Sequence, residues 1–162
     1  MDNMIKGLYL FFLLILPCPV FSQDTIVNDQ FSQRPFGVEL SPVNIKKTIA
    51  TKFTEEKKTI TNKHTGEVDT LLIFKSNVGD FTFYRTADKT FFYKAVIRSR
   101  GIRLAKGIEI GNSKSSFMKT LGFSKSKGTD VFIVRDTIGY SKHKFFFKDD
   151  KLTKIELESA VD

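Results

Sequence analysis

Apolar and polar positions along the chain change period several times, and each change marks an element. From residue 37 to 53 the chain reads GVELSPVNIKKTIATKF, with Ile45 and Ile49 four apart behind Ser41-Pro42. A serine followed by a proline suits a helix N-cap and first helical position, so this spacing predicts a helix over residues 42–52. The period then falls to two. KKTITNKHTGEVDTLLIFKSN carries a turn signal at His64-Thr65-Gly66 between two strands. Asn77-Val78-Gly79-Asp80 turns the chain into DFTFYR, which places Phe81 and Phe83 on one face and Thr82 and Tyr84 on the other. Ala87-Asp88-Lys89 turns it again into TFFYKAVIRSR. Strict alternation there assigns Phe91, Tyr93, Ala95 and Ile97 to one face, and Phe92, Lys94, Val96, Arg98 and Arg100 to the other. The outcome is a four-strand meander with one apolar face.

The same order then returns. In GIEIGNSKSSFMKTLGF, residues 107–123, Asn112 and Ser113 are good cap residues, Phe117 and Leu121 are four apart, and Gly122 suits a helix stop. This predicts a helix over residues 113–121. TDVFIVRD, TIGYSKHKFFFKDD and KLTKIELESA follow as a second meander, with turns at Asp136-Thr137-Ile138-Gly139 and Asp149-Asp150-Lys151. Laid over the first segment, Gly107, Glu109 and Phe123 fall on Gly37, Glu39 and Phe53, while the helix stripes match only after a two-residue slip. The expected fold class is α+β: an antiparallel sheet with short helices on one face, arranged as two tandem helix-meander repeats, residues 37–106 and 107–162, in a single domain.

The N-terminal part reads differently. Lys6, the apolar run GLYLFFLLIL, and PCPVFSQ with Val20 and Ser22 at −3 and −1 describe a secretory signal peptide over residues 1–22, cleaved between Ser22 and Gln23. The apolar run is too short to span a bilayer. Cys18 raises a lipoprotein alternative, but Pro17 stands where a lipobox has a small residue. Residues 23–36 are polar and read as a flexible, irregular start to the exported protein, periplasmic or secreted.

Composition narrows the chemistry. Cys18 is the only cysteine in 162 residues and leaves with the signal, so no disulfide, thiolate metal site or cysteine nucleophile remains. Of the seventeen phenylalanines, all but Phe11, Phe12 and Phe21 follow residue 22, which points to an aromatic core. The net charge of +8 survives cleavage, since Asp2 and Lys6 leave together. For an exported chain this points away from nucleic acid and towards an acidic protein, anionic lipid or polysaccharide.

Ser116-Phe117-Met118-Lys119 matches Ser-x-x-Lys, but so does Ser124-Lys125-Ser126-Lys127, and the accompanying Ser-Asp-Asn and Lys-Thr-Gly elements are missing. His64 lies in a turn, and His143 lies between Lys142 and Lys144, which would depress its pKa. Two distant histidines without cysteines make no metal set, and no phosphate loop is present. The expectation is therefore no catalytic residue, no metal and no cofactor. A small hydrolase is the third-ranked reading, behind an envelope structural or assembly factor contacting anionic lipid.

The leading reading is a non-enzymatic binding module. Lys142, Lys144, Phe146 and Lys148 alternate onto one strand face, with His143, Phe145 and Phe147 on the other. If the strands share a sheet, Tyr84, Arg98 and Arg100 join them, with Phe92, as a basic, aromatic-containing face for another protein.

The second unit also resembles a known pattern. Gly111, Ser113, Leu121, Gly122, Phe147, Leu152 and Ile155 follow the helix-then-meander signature of the SmpA/OmlA (BamE) lipoproteins, and are similar to the tandem unit of beta-lactamase inhibitory proteins. The resemblance covers residues 107–158 and, more loosely, 37–100. It implies an exported α+β domain, helices on one sheet face and a protein partner on the other. The chain departs from it in lacking the inhibitors' disulfides, in Pro17, and in Phe123-Ser124 where a proline often follows Leu-Gly.

Overall fold

Eight strands form one sheet in the order β1-β6-β7-β8-β5-β4-β3-β2. The structure is a computed structural model and describes residues 23–62, 65–124 and 128–160. The signal-peptide reading with Cys18, His64 and the second Ser-x-x-Lys match lie outside those residues in whole or part. In chain order the elements are β1 (Gln23–Val27), α1 (Asp29–Gln33), α2 (Pro42–Thr48), β2 (Thr54–Thr61), β3 (Val68–Lys75), β4 (Gly79–Arg85) and β5 (Thr90–Ile97). A short 3-10 turn (Ala105–Gly107), α3 (Lys114–Leu121), β6 (Val131–Arg135), β7 (Ser141–Lys148) and β8 (Lys151–Ser159) follow. The α+β class expected from the sequence is what the chain adopts. Every strand pairing is antiparallel except β1 on β6.

One face of this sheet is the core. A row of side chains crosses seven strands in register: Phe74, Phe81, Ala95, Leu157, His143, Val134 and Ile26. The next rows add Leu72, Phe83 and Phe92, and Ile97, Ile155, Phe145 and Phe132. Phe31 of α1, Ile45 of α2, Ile49 just after it, and Phe117 and Leu121 of α3 cover them in a single cluster. Phenylalanine rings do much of the filling: Phe117 lies 4.7 Å from Phe145 and 5.2 Å from Phe147, ring centre to ring centre. Such tilted and edge-to-face pairs suit the ring quadrupole and add to the burial of their large area.

The helices form for the reasons their sequences give, with one shortening. Ser113 Oγ accepts from the Ser116 N–H at 3.2 Å, and Gly122 ends α3 in the left-handed region at φ 80°. Ser41 Oγ likewise accepts from the Asn44 N–H at 3.2 Å ahead of Pro42. But α2 stops at Thr48, a turn before residue 52. Ile49 is extended at φ −101°, ψ 107° and buried. Carrying Ile49 into the core and Phe53 onto Phe74 and Phe81 takes the chain away from the helix axis.

Two expectations are overturned. Residues 23–36 are not irregular throughout: they form β1 and α1. Ile26 packs against the core, Phe31 is buried, and Asn28 Oδ1 caps α1 through the Phe31 N–H at 3.0 Å. A few well-placed apolar anchors outweigh the polar composition. The second correction is at Phe92. A β-bulge between Thr82 and Phe83 leaves Tyr93 as an extra residue between Lys94, which pairs with Thr82, and Phe92, so Phe92 pairs with Phe83 in the core while Phe91 pairs with Tyr84 outside. One extra residue inverts the alternation on the N-terminal side of the bulge.

Candidate functional site

The other face of the sheet is covered by none of the helices, whose buried apolar side chains all belong to the core cluster. Three cross-strand rows build its centre. Arg135, Lys142, Glu158, Lys94 and Thr82 form one, running from β6 to β4. Ile133, Lys144, Glu156, Val96 and Asp80 form the next, and Val131, Phe146 and Lys154 the third. Lys154 Nζ lies 3.9 Å from the centre of the Phe146 ring and 3.0 Å from a Glu156 oxygen. This arrangement holds the ring under a cation. Arg98, just past β5, donates to Asp80 at 2.8 Å.

The sequence expectation is met in part. Lys142, Lys144, Phe146 and Tyr84 share this face, with Arg98 beside them. Lys148 lies at the far end of β7, opposite Lys151 at the hairpin tip. Arg100 does not join them: it lies beyond β5, and its guanidinium is so close to Gly111 that a Cβ there would meet Nη2 at 2.8 Å. Gly111 in turn hydrogen-bonds Leu152, whose side chain belongs to the core. Phe92 is withdrawn by the bulge.

The face is also less uniformly basic than its lysines suggest. Glu156 and Glu158 stand directly across from Lys144 and Lys142. They follow from the alternation of β8, where Leu152, Ile155 and Leu157 point inward, so the signal was present in KLTKIELES. Across the central strands six cations (Lys94, Arg98, Arg135, Lys142, Lys144 and Lys154) face three carboxylates (Asp80, Glu156 and Glu158). Among the described ion pairs, none engages Lys94, Lys142 or Lys144.

Tyr84 has a more specific setting. Its hydroxyl donates to Asp69, which is buried, and accepts from Asn62 Nδ2 at 3.2 Å. The hydrogen bond to the Asp69 carboxylate raises the phenol's pKa, because ionisation would put two negative charges together. Tyr84 is thus a neutral, fixed donor.

His143 faces the core. Its Nε2 donates to the Ser32 carbonyl at 2.8 Å, and Phe31 stands edge-on to it at 6.3 Å. A carbonyl can only accept, so the proton is on Nε2. Burial, rather than the flanking lysines, depresses its pKa: Lys142 and Lys144 point to the opposite face. Ser116 is on the exposed side of α3, where its N–H serves the Ser113 cap. Among the described residues no group of three or more His, Cys, Asp or Glu is placed to hold a metal ion, and no helix is long and apolar enough to cross a membrane. No known family, characterised protein or solved structure matches the chain.

Proposed function

We propose that the chain is an exported, non-enzymatic binding module that takes an acidic protein partner against the outer sheet face. The observation that supports this reading is the excess of cations there. Lys94, Lys142 and Lys144 are held in register by strand pairing and are left unengaged by the described ion pairs. Strands fix such groups with little further ordering on binding, and complementary charge mainly raises association rate and selectivity. Phe146 and Tyr84 add aromatic surface of the kind that anchors interfaces. The same proposal takes residues 1–22 as a removed export signal, and the two helix-meander units as copies of one ancestral unit. A cleavage downstream of Gln23 would shorten β1, so the mature protein is expected to begin at Gln23, which N-terminal sequencing of exported material checks.

The binding reading is tested by affinity capture from envelope and medium fractions with the wild type and a Lys142→Glu/Lys144→Glu variant. An acidic protein held by the wild type, released by moderate salt and missed by the variant is the expected result. Equal capture by both forms rejects the face. Co-sedimentation with anionic but not neutral vesicles, lost in the same variant, would redirect it to lipid.

A further inference from the structure

We infer that the outer face carries a second, more specific site: a cleft that binds an oligosaccharide bearing a carboxylate. The cleft lies where the Tyr93 bulge of β5 meets the turn before β7. It measures about 390 Å³ and is lined by Tyr93, Lys94, Tyr140, Lys142, Glu158 and Ser159 among others. That lies in the lower part of the range of roughly 300–1,000 Å³ for small-ligand sites, and suits one or two sugar rings.

Both rings are presented by the backbone. Tyr93 is the extra residue of the bulge, between Lys94 opposite Thr82 and Phe92 opposite Phe83, and its exposed ring lies beside Lys94, whose Nζ is 5.6 Å from the ring centre. Tyr140 is held by its neighbours. The buried carboxylate of Asp136 accepts from the N–H groups of Gly139 at 2.5 Å and Ser141 at 3.0 Å, one on each side of Tyr140. The Tyr140 carbonyl accepts from the Ala160 N–H at 2.6 Å. Gly139 at φ 83° makes the turn that this requires. Tyr93 and Tyr140 nonetheless remain 40% and 50% exposed, large apolar groups fixed in place without cover.

Between the rings, Lys142, Glu158 and Lys94 form one cross-strand row. A bare carboxylate would meet Glu158, and a bare ammonium would meet two lysines. A polyhydroxylated ring gives donors to Glu158 and Ser159 and acceptors to the lysines at once. Its C–H faces match the electron-rich tyrosine faces. With two lysines to one glutamate, on a chain of net charge +8, the favoured sugar is acidic. A peptide would find the same charges but no extended apolar wall for its side chains.

The chain has no tryptophan, and two of its four tyrosines, Tyr93 and Tyr140, line the cleft, so the part of the tyrosine emission that is lost in the Tyr93→Phe and Tyr140→Ala variants reports it. The purified protein is titrated with trigalacturonate, with maltotriose as the neutral sugar and tetraglutamate as the acidic peptide. Trigalacturonate is expected to bind saturably, with amide NMR shifts of the wild type confined to the β5 bulge, the turn at Tyr140 and the end of β8. Tyr93→Ala or Tyr140→Ala should weaken it about tenfold, and Tyr93→Phe should retain it. Lys142→Gln should bring trigalacturonate down towards maltotriose. No saturable response, or shifts elsewhere, overturns the site. Tetraglutamate binding equally well, with the tyrosine variants unaffected, replaces the sugar with a peptide, and maltotriose binding equally to the wild type removes the acidic requirement. Lys144→Glu lies outside the cleft and should leave sugar binding intact, so this site and the protein-binding face fail separately.

Discussion

His143 occupies a position in β7 that the core would accept as apolar, and it is kept neutral there by burial. The folded ring resists protonation, while the unfolded chain protonates near the ordinary value of 6.5, so protons favour unfolding below that pH. Stability is expected to be level above about pH 7 and to fall below 6.5, with a limiting slope of about 1.4 kcal/mol per pH unit. Urea unfolding of the wild type and His143→Gln at pH 7.5 and 5.5 checks this: the variant should lose much of the difference. A second residue-scale prediction concerns Gly79. A Cβ there would meet the Val96 carbonyl oxygen at 2.6 Å, a backbone atom across the β4–β5 pairing that cannot swing aside. Gly79→Ala should cost about 1–3 kcal/mol, read as a lowered urea midpoint. Neither consequence is legible in sequence. Alternation places His143 inward correctly but cannot say that a carbonyl from α1 meets it, and the turn signal around Gly79 says nothing about Val96.

At the scale of elements, legibility tracks how local the determining forces are. α3 was readable to within a residue because its cap, stripe and stop all lie inside residues 113–122. Ser113→Ala should therefore cost about 1 kcal/mol, and Phe117→Ala about 3–5 kcal/mol, since the ring also packs on Phe123, Phe132, Phe145 and Phe147. Thermal unfolding of both variants gives that order, and a larger loss for the cap would reject it. The sequence pattern overextends α2, because its end is set by where Ile49 and Phe53 must go. β1 and α1 leave no mark in the local pattern for a related reason. Their support is distant in sequence: β1 pairs with β6, and Asp29 accepts from Thr137 N at 2.7 Å and Oγ1 at 2.9 Å. These bonds hold the Asp29 pKa below its ordinary value. The bulge at Tyr93 belongs here too, since a period-two pattern contains no mark for an inserted residue, and it decided which of Phe91 and Phe92 faces solvent.

Across the whole molecule the two meanders meet where β5 runs beside β8. Only Lys94–Ile97 of β5 and Ile155–Glu158 of β8 are in register at this seam. The sequence foretold both meanders but not their joining edges, because nothing local selects β8 over β6 as the neighbour of β5. The seam is short, but the core beneath it is not interrupted: Ala95, Ile97, Ile155 and Leu157 belong to the same cluster as Phe74 on one side and Phe132 on the other. If that shared core outweighs the few seam hydrogen bonds, the halves unfold together. Ile155 sits at the junction, fully buried and paired with Ile97 across the seam and Phe145 on β7. Ile155→Ala should then cost about 2–5 kcal/mol while leaving a single transition. Native-state hydrogen exchange should show amide protection falling by a similar factor in β3 and β7, although β3 is three strands from the substitution. Protection lost in β6–β8 alone, or a second unfolding step, would mean that the seam divides the sheet into two independent halves. The outer face would then be a joint between two bodies, and the row from Lys142 through Glu158 to Lys94, which crosses that seam, would lose the fixed spacing on which both proposed binding modes depend.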